Sequence, residues 1–405
     1  MALLQKNHTL SSEFIILGFG DLAELQIFFF GLFLIMYLVT LTGHTTIVLI
    51  TLIDSCLQTP MYFFLRNLST TEICYILVIV PNMLANFLCR SQRMPFLGCA
   101  LQMHLFIALG GVGCFLLAVM AYDRFVAICN PLRYTVIITR ALCLQMLTLA
   151  CISGFALSLT LTMLIFLLPF CQSHEINHFF CDIPAVLFLA CSDTRAKEIA
   201  VFLVCMVILL IPFLLILLSY AFIIAAILRM HSAEGRSKAF STCAGHLLVS
   251  VLHDGCAIFI YIRPKSRYTP EQDKIVSLIY TNVTPMLYPM IYSLRNKEVK
   301  GALRRLLVTA LTVLLIMLGD DPIFYHKEAL TAIRGGTPQW ERQILEGRNN
   351  MDHFSSTQPY LLFGQCDCKS LREYGDNREE STKVSAQEHV DQQIPADSPK
   401  LMMLC

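Results

Sequence analysis

The sequence predicts an all-α membrane protein, a seven-transmembrane helix bundle, and three observations carry that reading. Of 405 residues 56% are hydrophobic and only 15% charged, with mean hydropathy +0.63. A soluble chain of this size needs far more charge on its surface. Seven apolar runs occupy about 25–53, 61–85, 99–124, 141–168, 198–228, 238–262 and 272–293, and a helix crosses a bilayer in roughly 20 residues. Charge is sparse within these runs, and the pair Asp123 and Arg124 falls at the end of the third, because charge deep in hydrocarbon is costly.

Residues 1–24 are polar, carry the glycosylation sequon Asn7-His8-Thr9 and read as an extracellular N-terminus. Lys6, His8, Glu13, Asp21 and Glu24 interrupt them, so no cleavable signal peptide is expected. Two further sequons, at Asn67 and Asn282, fall at or inside apolar runs and are read as accidental. The receptor domain spans 25–293. Seven crossings put the termini on opposite sides of the membrane. The loop charges favour an inner C-terminus only mildly, since Arg263, Lys265 and Arg267 load an outer loop.

The first run is followed by the second with its single carboxylate, Glu72, which should face the bundle interior. On the outer half of the third run, Phe106, Ile107, Gly110, Gly111 and Cys114 form one helical stripe. Its glycines either let another helix approach closely or leave room for a ligand. Pro131 ends this helix soon after Arg124. The connection at about 169–197 is the one long outer loop and holds Cys171, His174, His178, Cys181, Asp182 and Cys191. With Cys99 at the outer start of the third run, these cysteines allow several pairings, and spacing alone does not choose between them. The other cysteines among the seventeen lie mostly in apolar runs, as small hydrophobes. In the sixth run Asp254, Ala257, Ile258 and Tyr261 recur at helical spacing and share a face.

Residues 294–318 read as an amphipathic juxtamembrane helix on the inner face, with Leu303, Leu306 and Leu307 beside Arg304 and Arg305. From 319 to 405 the composition turns polar and acidic and reads as a disordered cytoplasmic tail, to which no function is assigned. Residues 1–319 contain 21 Lys and Arg against 15 Asp and Glu, whereas the remainder has 9 against 14. Neither balance suggests a nucleic-acid partner. There is no nucleophile–base arrangement and no phosphate loop, so no enzymatic activity and no cofactor are expected.

Across about residues 1–308 the chain closely resembles the odorant receptors, within the rhodopsin-like G-protein-coupled receptors. The resemblance rests on Leu17-Gly18-Phe19, on Thr59-Pro-Met-Tyr-Phe-Phe-Leu-Arg-Asn-Leu-Ser69 and on the stretch from Met120 to Tyr134. It continues through Ser219-Tyr220, Lys238 to Ala244 with His246, Pro285-Met286, and Ile291 to Asn296. Each motif is weak alone; together, in order around seven runs, they are specific. The resemblance implies a plasma-membrane, multi-pass receptor for small hydrophobic volatiles, coupled to a heterotrimeric G protein of the olfactory stimulatory type that raises cyclic AMP. It implies a ligand pocket of Phe106, Ile107, Gly110, Gly111, Cys114, Val204, Cys205, Ile208, Asp254, Ala257, Ile258, Tyr261 and Thr281. It also implies coupling through Arg124, held at rest by Asp123 or the sixth helix, with Glu72, Tyr220, Lys238 and Tyr292 taking part. Disulfides Cys99–Cys181 and Cys171–Cys191 follow from the same source. His178-Phe-Phe-Cys-Asp182 has metal-like spacing, but a disulfide at Cys181 removes its thiolate, so no metal is expected there.

The chain departs from the family pattern at His44 and Tyr288, where the family has Asn, at Asp254 for an aromatic, at Gly245 for Ser, and at Phe125 for Tyr. Losing both asparagines favours a rival reading, a receptor-like protein with impaired or no G-protein coupling. A transporter would show inverted repeats or paired broken helices, and the sequence has neither. Asp254 has three physical outcomes: neutral by burial, paired with a neighbour, or ionised and selective for a cation. His253 adjoins it, but helical geometry directs the two side chains to different faces.

Overall fold

Each apolar run is helical in the computed structural model, which describes residues 13–19, 25–88, 92–170, 174–190, 195–229, 232–262, 269–295 and 298–307. The first four spans are α1 (Gln26–Ile53), α2 (Pro60–Leu88), α3 (Phe96–Cys129) and α5 (Arg140–Phe166). A short helix, α4 (Tyr134–Ile137), links the last two. The fifth span joins α7 (Arg195–Cys205) to α8 (Ile211–Leu228) through a wide π turn at Met206–Leu210, and α9 (Ala233–Tyr261) is the sixth. The seventh joins α10 (Pro270–Leu278) to α11 (Thr284–Arg295) through a second π turn at Ile279–Val283. Six of these helices are long and apolar enough to cross a membrane. The seventh is continuous helix with a more polar sequence, and its Asp273, Lys274, Thr281, Asn282 and Thr284 are buried. Polar side chains on a membrane helix turn inward for this reason.

Local chemistry sets the ends. Pro131 lacks the N–H to continue α3, which closes with the Asn130 N–H on the Val126 carbonyl. Thr139 caps α5, its hydroxyl accepting from the Leu142 N–H at 3.2 Å. The centre is α3, which packs against α2, α5 and α8. Helices in lipid associate through close packing, and Gly154 of α5 shows how close. A Cβ there would lie 2.6 Å from Val112 Cγ2 and 2.9 Å from the Ala108 carbonyl.

The all-α expectation omits one element, a three-stranded sheet beside the start of α3. Strand β1 (Glu13–Ile16) pairs antiparallel with β2 (Gln92–Pro95), Phe14 opposite Met94, and parallel with β3 (Glu175–Ile176). Phe14 and Ile16 are buried on one face. The chain then turns at Gly18, whose φ of +58° suits glycine and whose N–H donates to the His178 carbonyl at 3.1 Å. The loop beneath is fixed by Cys99–Cys181, with Cα atoms 5.5 Å apart. Gln102 donates to the Val78 carbonyl at 3.1 Å and accepts from the Cys181 N–H at 3.1 Å, so one side chain ties α2, α3 and the loop. Asn7, Cys171 and Cys191 lie outside the described residues, as do 308–405.

The first of two units holds the described residues to Thr51 and those from Thr59 to Arg295. The second holds Leu52–Gln58 and the helix at 298–307, here α12. Within it, Arg305 grips Asp54 Oδ2 from Nε at 3.0 Å and from its terminal nitrogen at 2.6 Å. Val299 and Ala302 are the buried face of α12, with Lys300 and Arg304 exposed.

Cys99→Ser removes a covalent tie worth about 2–4 kcal/mol in constraint of the unfolded chain. The purified variant is expected to unfold at clearly lower temperature than the parent; an unchanged Tm counts against that role. Gly154→Leu overpacks the α3–α5 contact, at a cost of about 1–3 kcal/mol. Its melting temperature should fall, whereas leucine at Gly31, where nothing lies within 4 Å of the added Cβ, should leave it unchanged.

Candidate functional site

A cavity of about 50 Å³ opens between α2, α3, α9 and the two π turns. Eight residues of the expected pocket line it: Phe106, Ile107, Gly110, Gly111 and Cys114 of α3, Ile208, and Ala257 and Tyr261 of α9. The glycines answer both readings of their stripe. A Cβ on Gly111 would meet Ile208 at 3.3 Å and the Gly154 backbone at 3.6 Å, so that residue is also a helix contact. Gly110 faces the ring of Tyr75 at 3.5 Å.

Five expected residues are not in this wall. Val204 is partly buried and packs on the core cluster, as does Ile258, while Cys205 is buried within that cluster. Thr281 is buried, donating to the Ser277 carbonyl at 2.6 Å and accepting from Asn282 at 2.8 Å. Asp254 has no exposed surface and stands behind the wall. The cavity gains Tyr75, Ile183, Leu209, His253 and Tyr280 instead. Leu209 beside Ile208, and Tyr280 beside buried Thr281, belong to the two π turns, which reach the cavity from the fifth and seventh spans.

His253 corrects the expectation that it points away from Asp254. Its Nδ1 lies 3.0 Å from Asp254 Oδ1, which also accepts from the Cys114 thiol at 3.4 Å. Adjacent side chains converge here because Asp254 reaches sideways toward α3. Asp254 Oδ2 is buried without a hydrogen-bond partner among the described residues. Of the three outcomes open in the sequence, the paired one finds its neighbour here, at Oδ1 alone.

The roof of the cavity is the loop. Asp182 accepts from the Ile183 N–H at 2.8 Å, capping the short helix α6 (Ile183–Phe188), and from the Tyr261 hydroxyl at 2.6 Å. Tyr261 in turn bonds Tyr280 at 2.7 Å. Phe180 meets Phe106 edge-on at 4.8 Å between ring centres. His178 is buried beside Asp182 and near Lys274; burial first and that positive charge second hold its pKa down at about 3, so it is neutral. Cys181 is in the disulfide, so His178, Cys181 and Asp182 offer no three-ligand metal set.

The residues expected to couple are at the other end of α3. Asp123 is buried and accepts from Tyr134 of α4 at 2.8 Å. Burial and that carboxylate push the Tyr134 phenol pKa up. Arg124, also buried, directs its guanidinium to Met61 Sδ on α2, a contact the sequence does not suggest. Glu72 is buried on α2, 3.7 Å from where a Cβ on Gly113 would sit, and its Oε2 has no hydrogen-bond partner among the described residues. Tyr220 is buried on α8. Lys238 and Tyr292 lie on α9 and α11 with side chains outside the described set. His44, one of the departures, donates from Nε2 to the Pro285 carbonyl at 2.9 Å and joins α1 to α11. Beside it, a Cβ on Gly43 would fall 2.8 Å from Pro289.

Comparison with known proteins places this architecture. The family model for "Olfactory receptor" matches residues 33–310. Human olfactory receptor 10Q1 is 52% identical over 305 residues, covering 75% of this chain and 95% of the relative. Human olfactory receptor 10K1 is 50% identical, covering 74% and 96%, and human olfactory receptor 10A7 is 51% identical, covering 74% and 95%. Seven helical spans, the tied loop over a cavity and these matches lead to one conclusion: the chain is a multi-pass membrane protein that belongs to the olfactory receptor family.

Proposed function

We propose that this protein is an odorant receptor of the plasma membrane, with its N-terminus outside. It binds a small hydrophobic odorant among α2, α3, α9 and the π turns and activates a heterotrimeric G protein of the stimulatory type, raising cyclic AMP. The observation that carries this reading is the cavity itself. Its wall is apolar apart from a thiol, an imidazole and three phenols, the lining expected for a small molecule held by shape and a few polar contacts. Its small volume selects compact ligands, and larger ones must displace the Tyr261–Tyr280 pair. That pair bonds to the loop through Asp182, so occupancy is felt both at the loop and in two helices.

Arg124 is the residue proposed to meet the G protein. Asp123 is engaged by Tyr134 and the guanidinium by Met61, soft contacts that a helix movement can exchange for an acceptor on the G protein. The reading of impaired coupling rests on the two lost asparagines. At the first of these, His44 supplies its own link between α1 and α11, which favours the competent receptor.

Two measurements test this reading. Gly110→Leu places its added atoms in the cavity, since its Cβ clears Tyr75 at 3.5 Å. Surface level should be maintained and the odorant concentration for half-maximal cyclic AMP should rise more than about tenfold, the factor for 1.4 kcal/mol of binding. An unchanged dose–response curve places the ligand elsewhere. Arg124→Ala should keep surface level and ligand binding while abolishing the cyclic AMP response. A full response at equal receptor number removes Arg124 from the coupling role.

A further inference from the structure

We propose that Cys114, His253 and Asp254 form a binding site for a zinc-type divalent ion in the cavity wall. Cys114 and Asp254 are 140 residues apart, and no sequence motif joins them. The fold brings one donor atom from each of the three residues within 4.8 Å of one another, all buried. Nδ1 and Oδ1 are 3.0 Å apart, and Sγ and Oδ1 3.4 Å. A tetrahedral zinc ion, with bonds of about 2.3 Å to sulfur and about 2.0–2.2 Å to nitrogen or oxygen, holds its ligand atoms about 3.3–3.7 Å apart. Two of the three spacings are therefore within a few tenths of an ångström of that geometry, and the third closes by rotation of the Cys114 side chain.

Charge and softness agree with the geometry. Thiolate and carboxylate together cancel the charge of a divalent ion, giving a neutral group suited to the membrane interior. A thiolate–imidazole–carboxylate set prefers zinc to magnesium or calcium. The unpartnered buried oxygen of Asp254 is a second, independent sign that this carboxylate awaits a counter-charge. On binding, the thiol proton leaves to solvent, and the imidazole keeps its proton on Nε2 while Nδ1 takes the metal. Cys114 and His253 both line the cavity, so the fourth coordination position faces it and is open to water. The proposal goes beyond odorant reception, since it rests on this cluster and needs no signalling.

The test uses the full-length chain in lipid nanodiscs, with cobalt as a visible probe and zinc as competitor. One equivalent of Co²⁺ should give a thiolate-to-metal charge-transfer band that Zn²⁺ displaces. Cys114→Ser should abolish that band, and Asp254→Asn and His253→Phe should each weaken zinc affinity by more than about 100-fold. That exceeds the 10–100-fold typical when only a hydrogen-bond partner of a ligand is lost. His178→Asn, at the loop, should change neither band nor affinity. Circular dichroism identifies any variant that fails to fold; Asp254→Asn, alike in shape, then decides the question by zinc competition alone. Absence of a stoichiometric cobalt band in the parent, its persistence in Cys114→Ser, or undiminished zinc affinity in Asp254→Asn overturns the site.

Discussion

The contact on which the rest depends is the junction of Cys99 and Gln102 with the loop at Cys181. The disulfide fixes where the loop crosses the top of α3, and Gln102 completes it by bonding the Cys181 N–H and the Val78 carbonyl together. Everything in the roof is placed from there. Phe180 is brought over Phe106, and Asp182 is brought within 2.6 Å of Tyr261. The N-terminal strand pairs with the same loop, Ile16 beside Ile176. In lipid, where apolar burial does not drive helices together, such fixed polar and covalent contacts carry much of the specificity.

The cavity has a largely apolar wall with two interlocked polar groups, one at its roof and one at its side. At the roof three hydroxyl or carboxylate groups share short hydrogen bonds; at the side the Cys114–His253–Asp254 group does the same in drier surroundings. Both couple α9 to another element, one to the loop and α10–α11, the other to α3. The sixth span is thus attached to its neighbours by polar contacts placed at two levels.

Hydropathy makes the helices legible, because their lengths and apolar runs are direct consequences of the bilayer. The α3 stripe is legible too, since regular helical spacing puts Phe106, Gly110 and Cys114 on one side. The disulfide partners come from family resemblance, as spacing leaves the pairing open. The misses have local reasons. Family resemblance places Thr281 in the pocket, whereas its neighbour Tyr280, in the π turn, is the residue that lines it. Adjacency argues against a His253–Asp254 contact, yet side-chain reach permits it at 3.0 Å. The strand at Glu13–Ile16 is hidden because Ile15 fills the gap between buried Phe14 and Ile16, erasing the alternation that marks a strand.

The π turn at Ile279–Val283 also bears on how such a helix changes over generations. A turn with one surplus residue can lose it without breaking the helix, because the remaining residues close into an ordinary turn. The half of the span beyond it would keep its orientation, because the widened turn covers with one extra residue the arc an ordinary turn covers without it. A single codon deleted here would leave Tyr288 and Pro289, like Asp273 and Lys274, on the faces they now occupy. The wide turn is thus a point where one small genetic event can be absorbed without changing which side chains the lower half of the bundle sees.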